Sequence, residues 1–191
     1  MILDRFNAAA CRTAIAAVAA GLLAGCAAPV PADYAAETPR LDLAAYFNGE
    51  VTAHGLFTDR AGKVVRRFTV RMQCRWSGDD GVLDETFAYS DGKTERRVWR
   101  LKKSRGPAGE DRYTGTADDV VGSASGSAAG NAFRWQYTLR LPVDGSVYEV
   151  QFDDWMYLMN DGVMLNKAVM SKFGVRLGDV TLAFEKPAGK P

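Results

Sequence analysis

The sequence predicts an all-β protein whose antiparallel strands form an up-and-down meander that closes into a barrel. From Leu41 onward, apolar residues recur mostly at every second position, the period of a strand with one buried face. Asp-Gly and related turn sequences separate these segments at short intervals. Residues 41–187 carry no sustained helical period, so we expect strands to dominate the fold.

The clearest strand signal lies between Val64 and Trp76, where two faces of opposite character alternate. One face reads Val64, Arg66, Phe68, Val70, Met72, Cys74 and Trp76, and the other reads Val65, Arg67, Thr69, Arg71, Gln73 and Arg75. Residues 133–141 repeat the pattern, with aromatic and Leu side chains alternating with Arg, Gln and Thr. Both segments are therefore predicted to be strands with one face in a core and one in water.

The remaining strands follow from the same alternation between turns such as residues 59–62, 78–81, 90–92, 143–145 and 160–162. After merging, nine or ten strands are expected from segments near 42–47, 50–58, 63–76, 82–90, 93–103, 111–121, 123–126, 131–141, 147–158, 163–172 and 179–186. A short helix is the alternative for the first of these segments.

Short strands joined by tight hairpins predict a meander, and an open meander of this length would leave long unpaired edges. Closure gives a lipocalin-like barrel, whose interior has room for one small ligand. A two-sheet sandwich is the alternative. An outer-membrane barrel is disfavoured, because Arg67, Arg71 and Arg75 would then face lipid.

The N-terminus has the parts of a bacterial export signal. Arg5 and Arg12 precede the apolar run 13–24, which is shorter than the about 20 residues that span a membrane. The run ends in Leu-Ala-Gly-Cys at 23–26, which resembles the lipobox where a thiol receives diacylglycerol. We therefore expect cleavage before Cys26 and lipid on its sulfur. An ordinary signal peptide with an incidental cysteine is the alternative.

The predicted organisation is a signal peptide at 1–25, lipidated Cys26 with a Pro/Ala-rich tether at 26–40, and one barrel domain at 41–187. Residue 27 is Ala rather than Asp, which by resemblance to Gram-negative sorting rules favours the outer membrane, with the domain facing the periplasm. Cys11 leaves with the signal, so Cys74 has no intramolecular partner and the fold needs no disulfide.

Several function classes find no support in the sequence. The formal net charge of +1 gives no electrostatic basis for binding nucleic acid. The chain has one histidine, His54, and lacks HExxH, CxxC and phosphate-loop motifs, so neither a metal nor a cofactor is expected. No nucleophile–base pair is recognisable, and we therefore predict that the protein is not an enzyme.

Two charged residues occupy predicted apolar faces. Asp154 alternates with Val150, Phe152, Met156 and Leu158, and Arg66 alternates with Phe68 and Val70. A buried charge needs a partner, so each should be satisfied inside, and the two could satisfy each other. An interior ion-pair network and a polar contact for a ligand head group are both consistent with this pattern. Trp135 and Trp155 are predicted to line an apolar pocket of about 300–1,000 Å³.

The chain also resembles a family of uncharacterised proteobacterial lipoproteins that is defined as a domain of unknown function. The resemblance covers about 41–186 and rests on Phe47-Asn48-Gly49, Gly55-x-Phe57-x-Asp59-Arg60-x-Gly62, Arg67-Phe68, Leu83-Asp84-Glu85-x-Phe87, Tyr89-Ser90-Asp91-Gly92, Arg97-Val98-Trp99, Ala117-Asp118-Asp119-Val120-x-Gly122, Gly130-Asn131-Ala132, Phe152-Asp153-Asp154-Trp155-Met156-Tyr157-Leu158 and Met170-Ser171-Lys172-Phe173-Gly174. It implies a lipocalin-like fold and a lipid ligand, and it supplies no catalytic residues.

Three function hypotheses follow. The first is a membrane-anchored lipoprotein that binds a lipid or another apolar molecule, with Asp154 and Arg66 as polar contacts. The second is a structural or assembly lipoprotein that docks an envelope protein through its Arg-rich outer face. The third, an enzyme acting on envelope lipid, is the weakest because it lacks a nucleophile–base pair.

Overall fold

The computed structural model describes residues 28–143 and 145–187, so the predicted signal peptide and Cys26 lie outside the described residues. In the described part, ten antiparallel strands are β1 (Gly49–Asp59), β2 (Val64–Ser77), β3 (Asp80–Tyr89), β4 (Thr94–Arg105), β5 (Asp111–Thr116), β6 (Ala124–Ala129), β7 (Ala132–Val143), β8 (Ser146–Leu158), β9 (Val163–Lys172) and β10 (Val175–Glu185). Each strand pairs with its neighbours in sequence, and β1 pairs with β10. The predicted closed barrel is therefore confirmed, and the sandwich alternative is wrong.

Alternation along the strands separates a core from a wet outer wall. In β2, Phe68, Val70 and Met72 are buried inside, whereas Arg71 and Arg75 on the other face are exposed. The two sets differ because successive residues of a strand point to opposite faces of the sheet. The period-two pattern thus fixes which residues reach the interior.

A short helix, α1 (Leu43–Tyr46), fills one end of the barrel, called here the closed end. Asp42 caps it by accepting a hydrogen bond from the Ala44 amide at 2.9 Å. The Tyr46 hydroxyl donates to the carbonyl oxygens of Phe184 at 3.1 Å and Gly162 at 3.2 Å. Of the two predictions for this segment, the helix is correct, because its cap and its buried apolar side chains both find partners.

The opposite end, called the open end, carries the connections 60–63, 90–93, 117–123 and 173–174, together with the turn between Val143 and Ser146. The strand predicted over 111–121 ends at Thr116, and the following residues form a loop. Val120 returns to the wall and bridges Leu139, with its side chain buried. The Asp119 carbonyl accepts a hydrogen bond from the Arg140 amide at 2.8 Å, so the loop is held against β7.

The segment before the barrel is not the extended tether that its composition suggested. Pro31–Tyr34 forms one turn of 3₁₀-helix that packs against β6 and β7. The Tyr34 ring lies 5.4 Å from the Tyr157 ring and 5.8 Å from the Trp155 ring of β8. An extended conformation is therefore wrong for Pro31–Tyr34, because aromatic side chains on the outer wall give this turn a surface to pack on. Among the described residues, no helix has the length and apolarity to span a bilayer.

Candidate functional site

The barrel interior contains a cavity of about 130 Å³. Its walls come from β2, β3, β4, β7, β8, β9 and β10 and from Leu43 and Phe47 at the closed end, and most of the lining residues are apolar. The aromatic residues among them are Phe47, Phe68, Phe87, Trp99, Phe133, Trp135, Tyr137, Phe152 and Phe184. These rings fill much of the interior, which is why the cavity is smaller than the predicted pocket. The predicted volume is therefore wrong.

A group of polar side chains interrupts this apolar lining. Glu85 of β3, Arg97 of β4, Asp154 of β8 and Asn166 of β9 all face the cavity. Arg97 donates from Nη2 to Asp119 Oδ2 at 2.7 Å, and its Nη1 lies 4.0 Å from Glu85 Oε2. One guanidinium therefore faces several carboxyl groups, which leaves the interior with an excess of acids.

Asp154 is 7% exposed and accepts a hydrogen bond from the Tyr137 hydroxyl at 3.1 Å through Oδ2. Its other oxygen, Oδ1, has no hydrogen-bond partner among the described residues. Burial raises the pKa of Asp154 to about 7, because a carboxylate removed from water is destabilised relative to the neutral acid. The side chain thus changes charge near neutral pH and has one buried acceptor without a donor.

Glu85 has a similar environment in another part of the wall. Burial raises its pKa to about 7, although the nearby Arg97 guanidinium acts in the opposite direction. The Arg97 guanidinium lies closer to Asp119 than to Glu85, so Glu85 is only partly neutralised by it. Both interior acids therefore exist as a mixture of protonated and ionised forms near pH 7.

Asn166 supplies a second unpartnered acceptor. The residue is 2% exposed, and its amide nitrogen donates to the Trp155 carbonyl oxygen at 3.4 Å. Within the described part of the chain, no donor reaches its Oδ1. A buried acceptor without a donor costs about 1–3 kcal/mol, so two in one cavity are unusual for an interior that is merely packed.

The structure brings together two of the four predicted ligand-binding residues. Asp154 and Trp135 both face the cavity. Trp155 does not, because it follows Asp154 directly in β8 and therefore points to the outer wall. There it stacks on Tyr157, with ring centroids 6.0 Å apart, and the assignment of Trp155 to an interior pocket is wrong.

Arg66 has the ion partner that its place on an apolar face predicted, but it does not line the cavity. It lies near the open end of β2, where its guanidinium sits 3.5 Å above the Tyr89 ring and its Nη2 lies 2.9 Å from Asp91 Oδ2. The proposed pairing of Arg66 with Asp154 is wrong, because a residue at the strand end reaches the turn beside it rather than the middle of the interior.

Sequence reasoning missed the charged pair that does face the cavity. Glu85 alternates with Leu83 and Phe87, and Arg97 alternates with Trp99 and Leu101, so the same apolar-face signal was available. The signal was hidden by the neighbouring charges Asp84 and Arg96, because two adjacent charged residues are typical of a solvent-exposed segment near a turn. Within residues 28–143 and 145–187, no cluster of His, Cys, Asp or Glu has the spacing to hold a metal ion.

Comparison with known families matches residues 20–186 to the family described as protein of unknown function (DUF3833). The chain belongs to the DUF3833 family. The match begins upstream of the predicted boundary near residue 41 and includes Cys26. No curated protein matches the sequence.

Among solved structures, a designed protein described as "De novo design of a fluorescence-activating beta barrel" is similar to this DUF3833 chain. The two are 12% identical, the TM-score is 0.41, and the similarity covers 77% of this chain and 99% of the designed one. A similarity this distant carries no information about the ligand of the DUF3833 protein.

Proposed function

We propose that this DUF3833 protein binds a compact, mainly apolar molecule with a hydrogen-bond donor inside its barrel, and that lipid on Cys26 holds it at the outer membrane, facing the periplasm. The two buried acceptors without partners, Asp154 Oδ1 and Asn166 Oδ1, are the observation that carries the first part. The lipobox at 23–26 supports the second part.

The size of the ligand follows from the cavity. At about 130 Å³, the space is close to the about 150 Å³ of an engineered protein cavity that holds one benzene molecule. A long acyl chain would require several aromatic side chains to move. We therefore propose a compact ligand, the size of one ring with short substituents, and not a long-chain lipid.

The chemistry of the ligand follows from the lining. Aromatic and aliphatic walls favour an apolar body, because its transfer from water is driven by the hydrophobic effect. Two acceptors favour a hydroxyl or amine group, since a donor aimed at Asp154 and Asn166 would remove the cost of leaving them unsatisfied. Glu85 and Arg97 also line the cavity and complete the polar part of the site.

Matched probes test this proposal. Phenol carries a donor and toluene does not, and the two have nearly the same size and shape. We expect phenol to bind the purified protein more tightly than toluene, measured by calorimetry and by quenching of Trp135 fluorescence. The preference arises because only phenol can donate to the interior acceptors.

Asp154→Leu should reduce the preference for phenol, because it removes the acceptor while keeping the wall apolar. The matched control is Asp153→Leu, since Asp153 faces outward and pairs with Arg134 at 2.7 Å. Equal binding of phenol and toluene, or equal effects of the two variants, would contradict the proposal. A crystal structure with only water bridging Asp154 and Asn166 in the presence of phenol would contradict it too.

One observation favours a second candidate function, the docking of an acidic envelope protein. Arg67, Arg71, Arg75 and Arg100 are exposed on the outer wall of β2 and β4, and none forms an ion pair with a described residue. A basic surface attracts an acidic partner and speeds its association. Substituting the four with Gln should abolish cross-linking to such a partner while leaving phenol binding unchanged.

A further inference from the structure

Exposed apolar side chains are concentrated on two hairpins at the open end. The β7–β8 and β9–β10 hairpins carry five of them, called here the apolar tips: Val143, Val147, Tyr148, Phe173 and Val175, with exposed fractions of 47%, 65%, 43%, 89% and 51%. Val64 and Val65 of the β1–β2 hairpin are also exposed at this end. Polar residues are the usual occupants of such turns, so two neighbouring hairpins with apolar tips require a physical explanation.

Phe173 provides the first part of that explanation. Its φ of +51° places it in the left-handed region, directly before Gly174 with φ +76°. Asn, Asp and Gly are the residues that two-residue hairpin turns prefer at such positions, because a bulky side chain is sterically disfavoured there. The chain therefore presents an aromatic ring almost fully to the outside, at a position where its backbone conformation is unfavourable.

Lys172 joins the two hairpins into one surface. Its Nζ lies 4.7 Å from the centre of the Tyr148 ring and 5.2 Å from the centre of the Phe173 ring. The ammonium group thus sits between an aromatic residue of each hairpin. Arg140 lies opposite the exposed Glu149 in the β7–β8 pairing, whereas Lys172 has no ion partner among the described residues. The apolar tips are therefore accompanied by one cation without a paired acid, Lys172.

We infer that the apolar tips insert into the interfacial region of a lipid bilayer. Tyr and Phe rings suit the boundary between head groups and acyl chains, and Lys side chains lie along apolar surface while their ammonium groups reach phosphates. The charge of Lys172 complements anionic head groups. A flat, uncharged self-association surface would explain neither the projecting hairpins nor the cation between the rings.

The placement of the N-terminal segment restricts the orientation on the bilayer. Tyr34 packs on Trp155 and Tyr157, at the opposite end of β8 from Val147 and Tyr148. The stretch of β8 between these two ends spans about 30 Å, at about 3.3 Å per residue. The N-terminal segment and the apolar tips can therefore meet one lipid surface when the barrel lies on its β8 side. The inference concerns the outer surface and does not depend on whether the interior binds a ligand.

A fluorophore at the tip tests the inference on the full chain. Phe173→Cys is labelled with an environment-sensitive nitrobenzoxadiazole dye, and Thr86→Cys, an exposed outer-wall position on β3, is the matched control. Cys74 is buried and should not react, and Cys11 and Cys26 are replaced by Ser in both variants so that the dye is attached only at position 173 or 86. Both proteins are placed in vesicles of phosphatidylethanolamine and phosphatidylglycerol, with and without lipids brominated in the upper acyl chain.

We expect the emission at position 173 to shift to shorter wavelength and to be quenched by brominated lipid, and the emission at position 86 to do neither. Equal, water-like emission at both positions would overturn the inference. A shift at 173 that grows with protein concentration and is insensitive to bromine would assign the tips to a second copy of the chain. A shift that appears only with an envelope extract would assign them to a protein partner. Both outcomes also overturn it.

A substitution separates membrane contact from folding. Phe173→Asn, in a chain labelled at Val147→Cys, should retain the fold and lose most of the wavelength shift at position 147, because the largest inserted side chain is gone. Val175→Asn should cause a smaller loss. If Phe173→Asn leaves the shift at position 147 unchanged, the tip ring does not drive insertion and the inference fails.

Discussion

At the closed end of the barrel, α1 fills the space between the strands and its apolar side chains are buried, whereas at the open end two hairpins project with their apolar side chains exposed. The Tyr46 hydroxyl, the Trp76 indole and the Asp42 carboxylate are all engaged in hydrogen bonds at the closed end. At the open end, Phe173 is 89% exposed in a left-handed backbone conformation. One sheet thus has ends of opposite character.

The difference shows that the closed end contributes to the stability of the fold, whereas the open end provides a surface suited to contact with another molecule. Apolar side chains at the closed end are buried and stabilise the fold. Those at the open end add nothing to the core, and Phe173 opposes the preferred conformation of its turn. Sequence features that conflict with local preferences are concentrated at functional sites in many proteins, and the open end fits that rule.

The strongest expected contrast between the ends comes from truncating one apolar side chain at each. Phe47 is 3% exposed and packs edge-to-face on Tyr46 and Phe184, with ring centroids 5.2 and 5.4 Å away. Phe47→Ala should lower the free energy of unfolding by about 3–5 kcal/mol, because it leaves a cavity. Val147→Ala should change it by less than about 0.5 kcal/mol. Urea denaturation measures both, and similar losses would break the comparison.

A second contrast concerns how the stability depends on pH, and it compares a buried acid of the interior with an exposed acid at the open end. Burial raises the pKa of Asp154 to about 7, above the about 3.9 of an unfolded Asp. The folded protein therefore binds more protons between these values, and its stability should fall as the pH rises from about 4 to about 7. Burial raises the pKa of Glu85 to about 7 as well, so Glu85 acts in the same direction.

Asp154→Asn should flatten this decline, since the amide cannot ionise. At the open end, the hydrogen bond from Arg66 holds the pKa of Asp91 below its usual value, so the contribution of Asp91 is present at neutral pH and is lost on acidification. In Asp91→Asn, the free energy of unfolding should therefore fall less on acidification than it does in the unmodified protein. Thermal unfolding followed across the pH range would contradict the argument if both variants moved the profile in the same direction.

The smallest expected effect is a gain. Phe173→Asn should raise the free energy of unfolding by about 1 kcal/mol, because Asn tolerates the left-handed conformation better than Phe. Val175→Asn has no such conformation to relieve and should give no gain. A loss of stability in Phe173→Asn, measured by urea denaturation, would show that the ring stabilises the open end after all.

Local alternation was sufficient to predict the strands that are long and two-faced. β2 and β7 were found from their own sequences, and the closure of the sheet followed from the lack of long connections. The loop 117–123 was missed, because its apolar Val120 is buried by a return to β7 that no local pattern contains. Strand signals therefore failed where burial came from a distant part of the chain.

The interior site was only partly predictable for the same reason. Asp154 could be placed inside from its neighbours in β8, but its partner could not, since Tyr137 reaches it only through the register and curvature of the closed sheet. Arg66 satisfied the same alternation and yet lies at a strand end. The size of the cavity depends on how nine aromatic rings interdigitate, which a one-dimensional pattern does not encode.

The 3₁₀ turn at Pro31–Tyr34 determines how far the barrel would travel from an anchor. With lipid on Cys26, only residues 27–30 remain between the attachment point and the packed turn. At about 3.3–3.6 Å per residue, such a linker reaches only about 14 Å. A barrel attached through so short a linker can tilt but cannot move away from the membrane, so its β8 side stays turned toward the lipid surface. The apolar tips then reach that surface by rotation of the barrel and not by its diffusion through the solvent. This removes most of the translational entropy cost of each contact.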